Sequence, residues 1–66
     1  MQLVINGEQR AVVRSETVEQ LLAELGLDAR AVVVELNRVI IRRPALASTL
    51  LAEGDSVEIV HFVGGG

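Results

Sequence analysis

Cysteine and lysine are absent from this 66-residue chain, and histidine, proline and aromatic residues occur once each. Without cysteine there is no disulfide framework and no thiolate metal site, and a single histidine does not close a zinc site, so no metal is expected. The missing thiols fit a reducing cytoplasm. Without lysine, and with a net charge of −3, the six arginines make no basic footprint for a phosphate backbone, which excludes nucleic acid as a partner. No apolar run exceeds four residues, against about 20 for a bilayer-spanning helix. The opening "MQLVINGEQR" lacks a basic leader followed by an apolar stretch. A soluble, cytoplasmic protein with one small domain is expected.

Catalytic motifs are missing as well. Ser15, Ser48 and Ser56 are the only serines, and none sits in a Gly-x-Ser-x-Gly elbow. A nucleophile–base pair would need His61 to meet one of these serines in space, and a partly exposed polar residue near a strand end is the expected role. The terminal "GGG" has neither a lysine nor a following helix, so it does not read as a phosphate loop. No catalytic residue and no bound cofactor are expected.

What is present is a regular alternation of strands around one helix. "MQLVING" has period two, with Met1, Leu3 and Ile5 on one side and Gln2 and Val4 on the other. Asn6-Gly7 is a strong hairpin signal, because both residues tolerate positive φ. "EQRAVVR" reads as the returning strand, with its register open because Val12 and Val13 do not both point inward. In "SETVEQLLAELG", Thr17 is an N-cap and Gln20 completes a capping box. Val18, Leu21, Leu22 and Leu25 make one apolar stripe, and Gly26 supplies the left-handed stop. "AVVVELN" reads as a central strand buried on much of both faces. Asn37-Arg38 interrupts it, "VIIRR" follows as a short strand, and Pro44 ends that strand. "ALASTLL" is expected to form a single helical turn, "AEGD" a turn at Gly54, and "SVEIVHFV" the last strand. This order implies an α+β domain, with two hairpins flanking a helix that packs on one mixed sheet of four to five strands. The first and last strands are expected to pair in parallel across the helical connection.

The last strand runs without a polar linker into Gly64, Gly65 and Gly66. Glycine loses more conformational freedom on ordering than any other residue, so this run adds nothing to a core, but it admits close backbone approach. A terminal carboxylate, with a reference pKa of about 3.3–3.7, is an inert anion at neutral pH. Activation by ATP to an acyl-adenylate makes it an electrophile, and sulfur transfer then gives a thiocarboxylate. Residues 63–66 reach at most about 14 Å when extended, enough to leave the globular body and enter a partner's site.

"MQLVING", "TVEQLLAELG", "VVELNRVIIRR" and above all "EGDSVEIVHFVGGG" make the chain resemble the ThiS family, sulfur carriers of thiamine biosynthesis with a ubiquitin-like β-grasp fold. The resemblance implies a β-grasp domain over residues 1–63 and a flexible glycine tail over 64–66. It implies adenylylation of Gly66 by an E1-like, ThiF-like enzyme that uses ATP. Conversion to a thiocarboxylate with sulfur from a cysteine desulfurase or other persulfide donor follows, and then delivery to a ThiG-like thiazole synthase. Gly65 and Gly66 are the carried-over residues, with Gly64 as an additional tail position. Alternative readings are a molybdopterin-synthase-type carrier, a tRNA-thiolation carrier, or a β-grasp interaction module without tail chemistry.

Parity along the last strand directs Val57 and Ile59 to the core and Glu58, Val60 and Phe62 to the opposite face. Apolar residues outward beside a reactive end mark a docking patch. The expected partner-binding residues are Val60, Phe62 and Val63, with Val4 extending the patch from the neighbouring strand.

Overall fold

The computed structural model describes residues 1–62. Gln2–Ile5 forms β1 and Glu8–Ala11 forms β2. Asn6 and Gly7 join them with φ of +51° and +83°, the left-handed pair a type I′ turn requires. The facing of the two valines after β2 is settled by pairing. Val12 donates its N–H to the Met1 carbonyl at 2.7 Å and is buried, which turns Val13 out to 85% exposure.

Val18–Glu24 forms α1. Both halves of the expected capping box are present: Thr17 Oγ1 accepts from the Gln20 N–H, and Gln20 Oε1 accepts from the Thr17 N–H, each at 3.2 Å. At the other end Gly26 takes φ of +74°. The Leu27 N–H then reaches the Leu22 carbonyl at 2.8 Å and the Gly26 N–H reaches that of Ala23 at 3.0 Å, a Schellman closure. Val18, Leu21 and Leu22 are buried, and Leu25 packs half-buried against them.

Val32–Leu36, Val39–Ile41 and Ser56–His61 form β3, β4 and β5. The five strands make one mixed sheet in the order β2-β1-β5-β3-β4. β1 and β5 run parallel, and the other neighbours are antiparallel. The core lies between the inner face of this sheet (Leu3, Ile5, Val32, Val34, Val57, Ile59) and a layer made of α1 with Leu46 and Leu51. This is the expected α+β arrangement of one main helix on a mixed sheet, with five strands.

Three details differ from the sequence reading. β3 buries Val32 and Val34 but leaves Val33 only half-covered, because among the described residues no layer packs on the outer face. The helical turn expected in "ALASTLL" starts earlier, as a 3₁₀ turn over Arg43–Ala45. Pro44 ends the strand and takes the second position of that turn, where its fixed φ and missing N–H are tolerated. A further 3₁₀ turn at Ala29–Ala31 precedes β3, capped by Asp28, whose Oδ1 accepts from the Arg30 N–H at 2.8 Å.

Candidate functional site

The site is the C-terminal half of β5 and the sheet surface around it. β5 is the middle strand of five, hydrogen-bonded to β1 on one side and β3 on the other. Its pairing with β3 runs from Leu36↔Val57 to Val32↔His61 and continues one step further, where the Phe62 N–H donates to the Ala31 carbonyl at 2.9 Å. The strand is therefore held in the sheet up to the last described residue.

Alternation along β5 gives two unlike faces. Val57 and Ile59 are buried, whereas Val60 and Phe62 are 60% and 57% exposed on the other side. His61 shares parity with Ile59 but lies beyond the cover of α1. It is exposed at the rim of an open groove with Asn6, Arg10, Leu25 and Leu27.

Of the expected docking residues, the structure brings Val60 and Phe62 together on the outer face. Val4 faces the same way but is not beside them. It is half-buried and pairs with Ser56, four residues before Val60 and so about 13 Å down the strand at 3.3 Å per residue. The parallel register puts β1 beside the start of β5, and the chain turns away at Asn6 before reaching the level of Val60. Val4 therefore does not extend the patch. Val63, Gly64, Gly65 and Gly66, and the expected domain boundary after residue 63, lie outside the described residues.

Two residues that the sequence reading missed do adjoin the patch. Val33 is the register partner of Val60 across β3. Ile40 on β4 pairs with Glu35, the residue two beyond Val33 on the same face, and is 57% exposed. For Ile40 the signal was the Asn37-Arg38 pair, which closes the β3–β4 hairpin with φ of +50° and +72° and so fixes its register. Val33 depends on the β3–β5 pairing, which no local signal gives. Glu35 also stands directly opposite Glu58. Like charges at matched positions on one face destabilise a sheet, so this acidic pair favours a basic group brought from outside.

Among the described residues no His, Asp and Glu side chains are grouped to hold a metal ion. No helix there is long and apolar enough to cross a membrane. What the arrangement offers is an acidic and apolar surface beside the exit of a tightly held strand.

The model of the ThiS family matches residues 3–66. The chain is 52% identical over 66 residues to a thiazole synthase of Paramagnetospirillum magneticum, covering all of this chain and 20% of that protein. A thiazole synthase of Magnetococcus marinus is 38% identical over the same length and is likewise covered to 20%. The chain thus spans about a fifth of these two relatives. The sulfur carrier protein ThiS of Bacillus subtilis is 44% identical over 50 residues, 76% of each chain. The crystal structure of the thiamine biosynthesis protein ThiS from Geobacter metallireducens superposes with a TM-score of 0.85 at 39% identity, covering the whole of both chains. On the strength of its sequence, its β2-β1-β5-β3-β4 sheet and its capped helix, the chain belongs to the ThiS family.

Proposed function

We propose that the chain is a cytoplasmic sulfur carrier of thiamine biosynthesis, acted on by enzymes rather than being one. The observation that carries this reading is the course of β5. A central strand, paired with β3 up to Phe62 and carrying apolar side chains on each face, is followed in the sequence, after Val63, by Gly64, Gly65 and Gly66. The sheet supplies a rigid stem, and the glycines supply a backbone without side chains that fits a narrow site built around ATP.

In this proposal the Gly66 carboxylate attacks the α-phosphorus of ATP on an E1-like adenylating enzyme, and pyrophosphate leaves. The outer sulfur of a persulfide on a cysteine desulfurase or another donor attacks the acyl-adenylate and displaces AMP, giving an acyl disulfide. A thiol then attacks the donor cysteine's sulfur in that disulfide, so that the S–S bond breaks, the thiol and the donor cysteine end as a disulfide, and the thiocarboxylate leaves to deliver its sulfur to a thiazole synthase. Support for that last acceptor comes from the two thiazole synthases in which a segment like this chain makes up a fifth of the polypeptide. Val60 and Phe62, with Val33 and Ile40 beside them, form the docking surface for these enzymes, and Val63, the next residue in the sequence, is a further contact in this proposal. The Glu35–Glu58 pair matches basic groups on the partner.

The test is the intact mass of the protein after incubation with ATP, cysteine, a cysteine desulfurase and an E1-like adenylating enzyme. The expected result is replacement of one oxygen by sulfur, localised to Gly66, and none in a chain lacking residues 65–66. Sulfur elsewhere, or a Gly66 that continues into further polypeptide in the mature protein, would overturn the proposal.

A further inference from the structure

β5 is braced unequally. On the β3 side it is paired over five positions, up to His61. On the β1 side it has two, Val4↔Ser56 and Ile5↔Val57, before β1 ends and the chain turns away. The Ile59 N–H and C=O point to that vacated side. Both are taken by one side chain: Asn6 Oδ1 accepts from the Ile59 N–H at 2.7 Å, and Asn6 Nδ2 donates to the Ile59 carbonyl at 3.2 Å. The Asn6 backbone N–H donates to the Val57 carbonyl at 2.9 Å, so the side-chain pair continues the ladder by one step. Beyond it lies the open groove edged by Arg10, Leu27 and His61 rather than another strand.

The turn alone does not require this side chain. At φ of +51° the type I′ geometry accepts glycine as readily as asparagine. What asparagine adds is a carboxamide that sets a donor beside an acceptor, as a strand backbone would.

We infer that Asn6 is a positioning residue that stands in for the missing strand and holds the exit of β5 in one direction for the adenylating enzyme. The inference rests on the sulfur-carrier reading for its role in charging. Small displacements of a reacting group lower rates steeply. A stem anchored three residues before Phe62 limits such displacement at its source.

The molecule contains its own control. Asn37, also left-handed in a type I′ turn, grips the opposite end of β5 with its carboxamide: Oδ1 accepts from the Ser56 N–H at 2.9 Å, and Nδ2 donates to Asp55 Oδ1 at 3.0 Å. N6G and N37G each remove two side-chain hydrogen bonds while keeping a residue suited to the turn. The experiment measures amide hydrogen exchange at Phe62 in the ¹⁵N-labelled chain, and kcat/KM for pyrophosphate release with ATP and an adenylating enzyme that charges the wild type.

In N6G, Phe62 exchange rises and kcat/KM falls, each by about fivefold, the ratio that one net hydrogen bond supports. N6D, which keeps the acceptor for the Ile59 N–H and loses the donor, moves both in the same direction. N37G loses comparable thermal stability but leaves both readouts within about twofold of wild type, below the effect of one such bond. Equal behaviour of N6G and N37G shows a merely structural asparagine and overturns the inference. Unchanged Phe62 exchange in N6G overturns the clamp even where charging proceeds. Failure of any such enzyme to charge the wild type overturns the sulfur-carrier reading instead, and the role in charging with it.

Discussion

On the helix side of the sheet, Leu3, Ile5, Val34, Val57 and Ile59 are at most 7% exposed, while Ile40, Val60 and Phe62 on the other side are each more than half exposed. The residue types are alike, and on β5 they alternate within one strand. The difference comes from what is available to cover them. A chain of 66 residues supplies one helix and a few turns, enough for one layer against one face. Apolar residues on the inner face stabilise the fold, and those on the outer face stay exposed.

The largest expected effect lies on the inner side. Leu21 is fully buried on α1. Leu21→Ala should lower unfolding free energy by about 2–5 kcal/mol, through lost transfer energy and an unfilled cavity. Denaturant titration measures it, and a loss near that of a surface substitution would mean the helix is not seated on the sheet.

On the outer side the expected effect moves from stability to association. Phe62→Asp should leave stability within about 0.5 kcal/mol, as for other exposed positions. It should reduce charging by an adenylating enzyme by about tenfold or more, as loss of a central aromatic anchor does. Parallel melting curves and pyrophosphate-release kinetics check both halves. Unchanged kinetics would separate the exposed face from the docking role.

The smallest effect sharpens the edge of the inner layer. Ser15, a buried polar residue, donates its hydroxyl to Glu24 Oε1 at 2.6 Å where α1 meets the segment after β2. That hydrogen bond, with smaller help from the Val13 and Arg14 backbone and the Arg14 charge, holds the Glu24 carboxyl below its ordinary value. A carboxyl whose pKa is lowered by folding contributes stability above its unfolded pKa, and this contribution fades as pH falls through the folded one. Ser15→Ala should raise the Glu24 pKa and flatten this part of the acid limb, read by NMR titration of the carboxyl and by melting at stepped pH. A Glu24 titration unmoved by the substitution would remove Ser15 as its cause.

The legible parts of the fold were those decided within a few residues. Thr17 with Gln20, Gly26, and Asn6 with Gly7 each carry their own instruction, and β5 parity follows from a period of two. The rest depended on partners far along the chain. Val12 rather than Val13 turns inward because Met1 pairs with it, which no local pattern states. Arg38 at φ of +72° is an unusual turn residue, and the turn is secured by Asn37 bonds to Ser56 and Asp55, 18 or 19 residues away. The outer patch was half legible for the same reason. Val60 and Phe62 followed from their own strand, whereas Val33, Ile40 and the displaced Val4 required the register of neighbouring strands.

The parallel pairing of β1 with β5 also gives the molecule poles. Parallel neighbours start at the same end, and the Gln2 carbonyl accepts from the Gly54 N–H at 2.7 Å, in the turn before β5 begins. Phe62 leaves six residues beyond Ser56, about 20 Å away along the strand. A tether, affinity handle or fluorophore attached ahead of Met1 therefore sits at the pole opposite the strand exit, so the protein can be immobilised from that side with the end of β5 facing solution.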